Sequence, residues 1–267
     1  MKIARIRIGG QRTAHAVVEA DCYRVLSGGI FGRIKVTEER IPAAQASLLA
    51  PVAPPQVVAI GLNYRKHAQE SKMPVPAAPV VFIKTCNTVA GPGDRIILPA
   101  MAPNEVDYEA ELVIVIGKEA KRVSEAQALD YVLGYTCGND VSARDCQLRL
   151  DKQWARGKCF DTFAPLGPWI VTDLDGDNLD IKLALNGVTM QQSNTSDMVF
   201  GCRQLVSYLS HCMTLLPGSI IMSGTPAGVG MGRKPPVWLK AGDTVTVDIE
   251  GVGALTNGVI NEEVGAP

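Results

Sequence analysis

The sequence predicts an α+β fold dominated by sheet. Three observations carry that prediction. Short runs rich in β-branched and aliphatic residues recur from Gln56 onward, with Gly and Pro between them. Helical periodicity is confined to a few places. Regular alternation of strand and helix is missing, which argues against a doubly wound parallel sheet.

The elements follow in chain order. The 267 residues suffice for one large domain, or a large domain with a small one. Residues 3–8 alternate apolar and polar and run into Gly9-Gly10, the pattern of a strand and hairpin turn; residues 43–49 read as one short helix. Pro51-Val52-Ala53-Pro54-Pro55 is a stiff, extended break. Residues 1–55 therefore read as a small N-terminal β-rich domain with its linker, and residues 56–267 as the main domain. The first 50 residues carry eight basic and four acidic side chains, whereas residues 56–267 carry 18 and 23. Strands are expected at 57–60, 80–84, 112–116, 170–172, 181–186, 219–223 and 244–250, and helices at 124–132, 141–150 and 200–211.

Composition narrows the function. A formal net charge of −1 gives no basic surplus for nucleic acid or an anionic membrane. A hydrophobic fraction of 46% with 20% charged residues is that of an ordinary soluble globular protein. Met1–Gly10 is charged and alternating, so no signal peptide is expected, and the longest apolar run, Leu112 to Ile116, is far short of a membrane span. Seven cysteines, an odd number with no C-x-x-C spacing, suit a reducing cytoplasm rather than a disulfide framework or thiolate zinc site. With three histidines, His15, His67 and His211, metal chemistry must lean on carboxylates.

The most informative segment is residues 106–117, where Glu109 and Glu111 open an apolar strand. Residues two apart on a strand share a face, so the two glutamates point together, with Asp107 a possible third. Side by side they repel and lose hydration, and a hard divalent cation such as Mg²⁺, Mn²⁺ or Ca²⁺ resolves both costs. The plainer alternative is a solvated strand face. Asp140, in Gly138-Asn139-Asp140-Val141, sits at or beside an expected helix start, where it either caps the helix or supplies a third carboxylate. Arg144 and Gln147, three apart on that helix, could grip a carboxylate or carbonyl, or be surface groups. Lys158, before an aromatic and proline-rich loop, is either exposed or placed to stabilise developing negative charge. His67 and Glu70 lie one helical turn apart after the 57–60 strand; they form a general-base pair or an exposed ion pair. The proline-bearing stretch 71–79 reads as a lid. The glycine-rich stretch 223–232 lacks the lysine of a P-loop, leaving a backbone nest for an anionic oxygen beside Thr225, or a tight turn. His15 and His211 have no polar constellation near them.

Five motifs occur in order: G-L-N-Y-x-x-H-x-x-E from Gly61, D-Y-E-A-E-L-x-x-V-I-G from Asp107, N-D-V-S-A-R-D-x-Q from Asn139, G-K-x-F-D-T-F-A-P-L-G-P from Gly157 and S-G-T-P-A-G-V-G-M-G from Ser223. Together they closely resemble the fumarylacetoacetate hydrolase family, over about residues 56–260. The resemblance implies a mixed β-sandwich or roll with few helices, and a homodimer. It implies metal ligation by Glu109, Glu111 and Asp140, a His67/Glu70 dyad on a mobile lid, and substrate contacts from Arg144, Gln147, Lys158 and Thr225. Cys159 departs from the small residue expected there. Residues 230–240 resemble the acylpyruvate or diketo-sugar-acid hydrolase branch.

The activity so implied is hydrolysis of a C–C bond in a 2,4-dioxo acid, with Mg²⁺ or Mn²⁺, or Ca²⁺, as cofactor. His67, polarised by Glu70, would activate water, and Lys158 and the cation would stabilise a pyruvate enolate. The alternative is decarboxylation, tautomerisation or isomerisation of a 2-oxo acid through the same enolate, without attacking water. The presence of the dyad favours hydrolysis at this stage. A scaffold protein that keeps the fold without activity is the third reading.

Overall fold

The computed structural model describes residues 1–263 apart from Lys152. Its strands are β1 (Lys2–Ile8), β2 (Arg12–Val18), β3 (Cys22–Ser27), β4 (Lys35–Pro42), β5 (Ala46–Leu49), β6 (Val57–Gly61), β7 (Val80–Lys84), β8 (Val89–Ala90), β9 (Arg95–Leu98), β10 (Val106–Asp107), β11 (Ala110–Ile116) and β12 (Val132–Asn139). Then come β13 (Ser142–Ala143), β14 (Ala164–Val171), β15 (Asp180–Leu185), β16 (Val188–Asn194), β17 (Ile220–Met222), β18 (Thr244–Ile249) and β19 (Gly253–Asn261). The α-helices are α1 (Arg65–Glu70), α2 (Trp154–Lys158) and α3 (Cys202–Cys212). The fold is sheet-dominated with few helices, as expected.

One large sheet runs β4-β3-β2-β1-β14-β12-β11-β17-β6-β7, with β5 on β1 and β8 on β14. A second runs β16-β15-β18-β19-β9, and β10 pairs with β13 alone. The alternation in residues 3–8 becomes β1, whose hairpin partner is β2. β1 also pairs with β14, Lys2 opposite Val171, so the N-terminal strands extend the large sheet.

β11 explains where the core sits. All of its residues are buried. Leu112, Ile114 and Ile116 join a cluster with Leu205 of α3 and Val247 of β18, while Val113 and Val115 join Val57, Ala59 and Ile170 on the opposite face. Period-two alternation thus feeds two apolar layers at once. Burying each such side chain contributes about 1.5–3 kcal/mol, which holds the strand's acidic start in place. α3 is secured at its N-terminus by Asp177, whose Oδ1 accepts from Cys202 N–H at 2.7 Å.

Each expected strand overlaps an observed one. Three helical expectations change. Residues 43–49 form a short 3₁₀ turn, Ala43–Gln45, followed by β5, because Ala46–Leu49 can pair with β1. Residues 124–132 hold a 3₁₀ helix, Glu125–Tyr131. Residues 141–150 do not form one helix: Ser142–Ala143 pairs with Val106–Asp107, and a wide helical turn with π-type hydrogen bonding, Cys146–Leu150, follows. No helix among the described residues is long and apolar enough to cross a membrane.

Candidate active site

The acidic cluster is a product of strand register. Ala110 of β11 pairs with Asn139 of β12, which sets Glu109 across from Asp140. Asp140 N–H donates to the Glu109 carbonyl at 2.9 Å, and Glu109 N–H donates to Asn139 Oδ1 at 2.9 Å. Glu109, Glu111 and Asp140 are all buried, and one carboxylate oxygen from each lies within 4.8 Å of the others. Asp140 is not a helix cap. That place belongs to Asp145, which accepts from Cys146 N–H at 2.7 Å. Nor does Asp107 join the two glutamates: its carboxylate takes N–H groups of Tyr108, Gly230 and Met231 at 2.8, 2.7 and 3.1 Å, and Arg144 Nε at 2.9 Å.

Cations answer part of this charge. Lys158, far from exposed, is buried, with Nζ 2.7 Å from both Glu109 Oε2 and Asp140 Oδ2. Lys84 Nζ takes the other Asp140 oxygen at 2.6 Å and the Val141 carbonyl at 3.3 Å. Arg144 spans Asp107, Glu109 (2.6 Å) and Gln147 (2.9 Å). Burial opposes ionisation of Glu109, but Arg144 and Lys158 outweigh it and hold its carboxyl below the usual range. Burial likewise opposes the Lys158 ammonium, and Asp140 and Glu109 outweigh it, raising its pKa. For Lys84 burial wins, and the pKa is lowered.

Glu111 differs. Among the described residues its hydrogen-bond partner is the Gly224 N–H, 3.0 Å from Oε2. Burial, reinforced by Asp140 and Glu109, raises its carboxyl well above the ordinary range. Four buried carboxylates, Asp107 included, thus face three buried cations. A divalent cation, if bound, would supply the missing positive charge, and an all-oxygen donor set would suit a hard ion such as Mg²⁺, Mn²⁺ or Ca²⁺. The triad could therefore hold a metal ion.

His67 and Glu70 share a face of α1, with Nδ1 2.9 Å from Glu70 Oε2, which leaves Nε2 as the ring nitrogen for the cavity. Glu70 Oε1 accepts from Gly228 N–H at 2.9 Å. The glycine-rich stretch is therefore no vacant nest: its amides serve Glu111, Glu70 and Asp107 of this chain. Thr225 Oγ1 accepts from Gln191 Nε2 at 2.8 Å. A cavity of about 260 Å³ is lined by His67, Glu109, Glu111, Asp140, Arg144, Gln147, Lys158 and Thr225 together. Glu70 reaches it through His67.

Three polar residues escape sequence reasoning. Lys84 closes an otherwise apolar strand, a signal that could have singled it out. Buried Asn63 ties the turn after β6 to Ser223 and Phe200, donating to their carbonyls at 2.8 and 3.0 Å. Buried Gln191 accepts from Ala110 N–H at 2.9 Å and positions Thr225. Asn63 stands in the G-L-N-Y motif without a role read for it, and nothing in the local pattern marks Gln191.

Residues 56–260 match the family model described as fumarylacetoacetate (FAA) hydrolase, C-terminal. The chain belongs to the fumarylacetoacetate hydrolase family. Residues 1–51 match a second model, Rv2993c-like, N-terminal. Among relatives of this family, a fumarylacetoacetate hydrolase domain-containing protein 2 homolog of Dictyostelium discoideum is 51% identical over 237 residues, 84% of this chain and 77% of its own. A mitochondrial oxaloacetate tautomerase of Rattus norvegicus is 48% identical, over 82% of this chain and 71% of its own. The solved 5-carboxymethyl-2-hydroxymuconate delta-isomerase of Mycobacterium smegmatis superposes with a TM-score of 0.89 at 42% identity, covering 98% of this chain and 100% of that one. Two of these three proteins are thus named as a tautomerase and an isomerase.

Proposed function

We propose that the chain catalyses keto–enol tautomerisation or double-bond isomerisation of a short 2-oxo acid. The observation that carries this reading is that His67, backed by Glu70, opens into the same small cavity as the acidic triad and Lys158. The tautomerase and isomerase names of relatives at 48% and 42% identity support it. A divalent cation bound by Glu109, Glu111 and Asp140 supplies Lewis acidity toward the oxygens of a 2-oxo acid.

The residues of the chain do the rest. His67 takes a proton from the carbon beside the oxo group and returns it at the oxygen or farther along the conjugated chain, so that nothing is gained or lost. Glu70 holds Nδ1 and stabilises the imidazolium between the two transfers. Lys158 sets an ammonium beside the oxygen that acquires charge. Arg144, Gln147 and Thr225 orient the carboxylate. The homodimer and the reducing cytoplasm expected from sequence belong to the same proposal; all seven cysteines are free thiols.

Hydrolysis of a 2,4-dioxo acid is the second reading, because the same dyad could activate water. The test follows the ultraviolet absorbance of enol oxaloacetate and, separately, pyruvate release from an acylpyruvate, both with Mg²⁺ or Mn²⁺. Accelerated loss of the enol, falling about 10²-fold or more in His67→Ala, is expected. Pyruvate release without any effect on the enol would replace this reading by the hydrolytic one.

A further inference from the structure

A chain of obligatory hydrogen bonds ends at Thr225. It begins on β11, where Ala110 stands between Glu109 and Glu111 and its backbone N–H can only donate. Gln191 Oε1 receives that N–H at 2.9 Å. The amide nitrogen of Gln191 must then face the other way. Nε2 donates to the Pro226 carbonyl, which can only accept, and to Thr225 Oγ1, each at 2.8 Å. Both Nε2 protons are thereby engaged, and Thr225 Oγ1 is an acceptor toward Gln191. The hydroxyl's own proton is left for the cavity that Thr225 lines. The ladder between β15 and β16 slips by one residue at this place, Leu183 facing Gln191 and Ala184 facing Thr189, so Met190 bulges beside Gln191. Gln191 is 1% exposed and reaches the cavity through Thr225.

The same logic holds for Gln147. Arg144 Nη1 donates to Gln147 Oε1 at 2.9 Å, and a guanidinium has no acceptor, so the NH₂ end of that amide is the one left for the cavity. Resting on the reading of the site as one for 2-oxo acids, we infer that Gln191 is a positioning residue. It presets the Thr225 hydroxyl as a donor, as Arg144 presets the Gln147 amide, and these two neutral side chains therefore select a ligand that turns acceptor oxygens toward them. The carboxylates at both ends of an acid such as oxaloacetate meet that demand. An amide N–H in the same place faces another donor and stays unpaired.

Calorimetric titration of the Mg²⁺-loaded full chain with oxalate, which presents acceptors alone, tests this through a double-mutant cycle. Thr225→Val keeps the shape and removes the O–H; it should weaken oxalate about tenfold, whereas Thr225→Ser should stay within about threefold. Gln191→Met frees the Pro226 carbonyl, to which the Thr225 proton then turns, and should also weaken oxalate about tenfold. With Gln191→Met in place, Thr225→Val should cost no more than about twofold further, because the ligand has already lost that proton. Gln191→Glu, which puts an acceptor where Nε2 stood, should give the same cycle and covers the case in which Gln191→Met does not fold. A full tenfold loss from Thr225→Val in both backgrounds, on the scale of about one hydrogen bond to a charged group, would overturn the inference, since Gln191 would then serve packing alone. Unchanged oxalate affinity in Thr225→Val would overturn it as well. Failure of the wild type to bind oxalate would instead defeat the 2-oxo acid reading, and the donor assignment with it.

Discussion

Two walls of the acidic cluster balance their carboxylates by opposite means. On β7 and α2 the partners are ammonium groups: Lys84 and Lys158 hold both oxygens of Asp140, and Lys158 also holds Glu109. In the glycine-rich stretch the partners are backbone amides, Gly224 for Glu111, Gly228 for Glu70, and Gly230 with Met231 for Asp107. An ammonium carries a full charge and contends with an incoming cation for the same oxygens. An amide is a fixed dipole that orients a carboxylate and leaves its charge uncancelled. The lysine wall is therefore one whose neutralising role a metal ion can take over, whereas the amide wall is a rigid mould.

The largest effect should come from the lysine wall. Lys158→Met leaves two buried carboxylate oxygens unpaired and should lower the metal-free unfolding free energy by about 3 kcal/mol. Urea unfolding repeated with Mg²⁺ should recover much of that loss. An equal loss in both conditions would break the contrast between the walls.

A smaller cost is expected on the other wall. Gly228 has φ +104°, and a Cβ there would lie 2.3 Å from the Met190 carbonyl oxygen. Gly228→Ala should cost about 2 kcal/mol by strain and displacement of the Glu70 amide. Mg²⁺ should not restore it, since a cation repairs charge and not backbone conformation. Recovery comparable to that of Lys158→Met would show the mould to be electrostatic after all.

The gentlest effect is in pH. The folded-state pKa of Glu111 is raised above its ordinary 4.5 by burial, Asp140 and Glu109. A raised carboxyl binds its proton more tightly when folded, so its stabilisation is complete below the unfolded pKa and is lost as pH climbs through the folded one. Metal-free protein should therefore lose stability from this group as pH rises above 4.5, by at most about 1.4 kcal/mol per pH unit. Mg²⁺ should flatten the slope. Melting temperatures across pH, with and without Mg²⁺, would sharpen the picture, and a metal-free slope of the opposite sign would contradict it.

Local spacing made part of the site legible. Glu109 and Glu111 at period two, His67 and Glu70 one helical turn apart, and Arg144 with Gln147 at three all meet as the chain order implies. Strand β16 was not legible, since Gln191, Gln192, Ser193 and Asn194 have the composition of a loop. It is a strand because β15 offers a ladder to pair with. Residues 46–49 likewise became β5 against their helical pattern once β1 lay alongside.

By itself, then, the sequence determined the sheet-rich class, the apolar spine of residues 112–116 and the acidic, basic and imidazole groups brought to the site, because backbone geometry converts short spacings directly into shared faces. Only the tertiary structure decided which partner each charge receives. Lys84 reaches Asp140 across 56 positions and Gly224 reaches Glu111 across 113. Contacts at such separations depend on strand register and on burial, which dictate together that every carboxylate removed from water finds a donor, and neither is written in any local pattern.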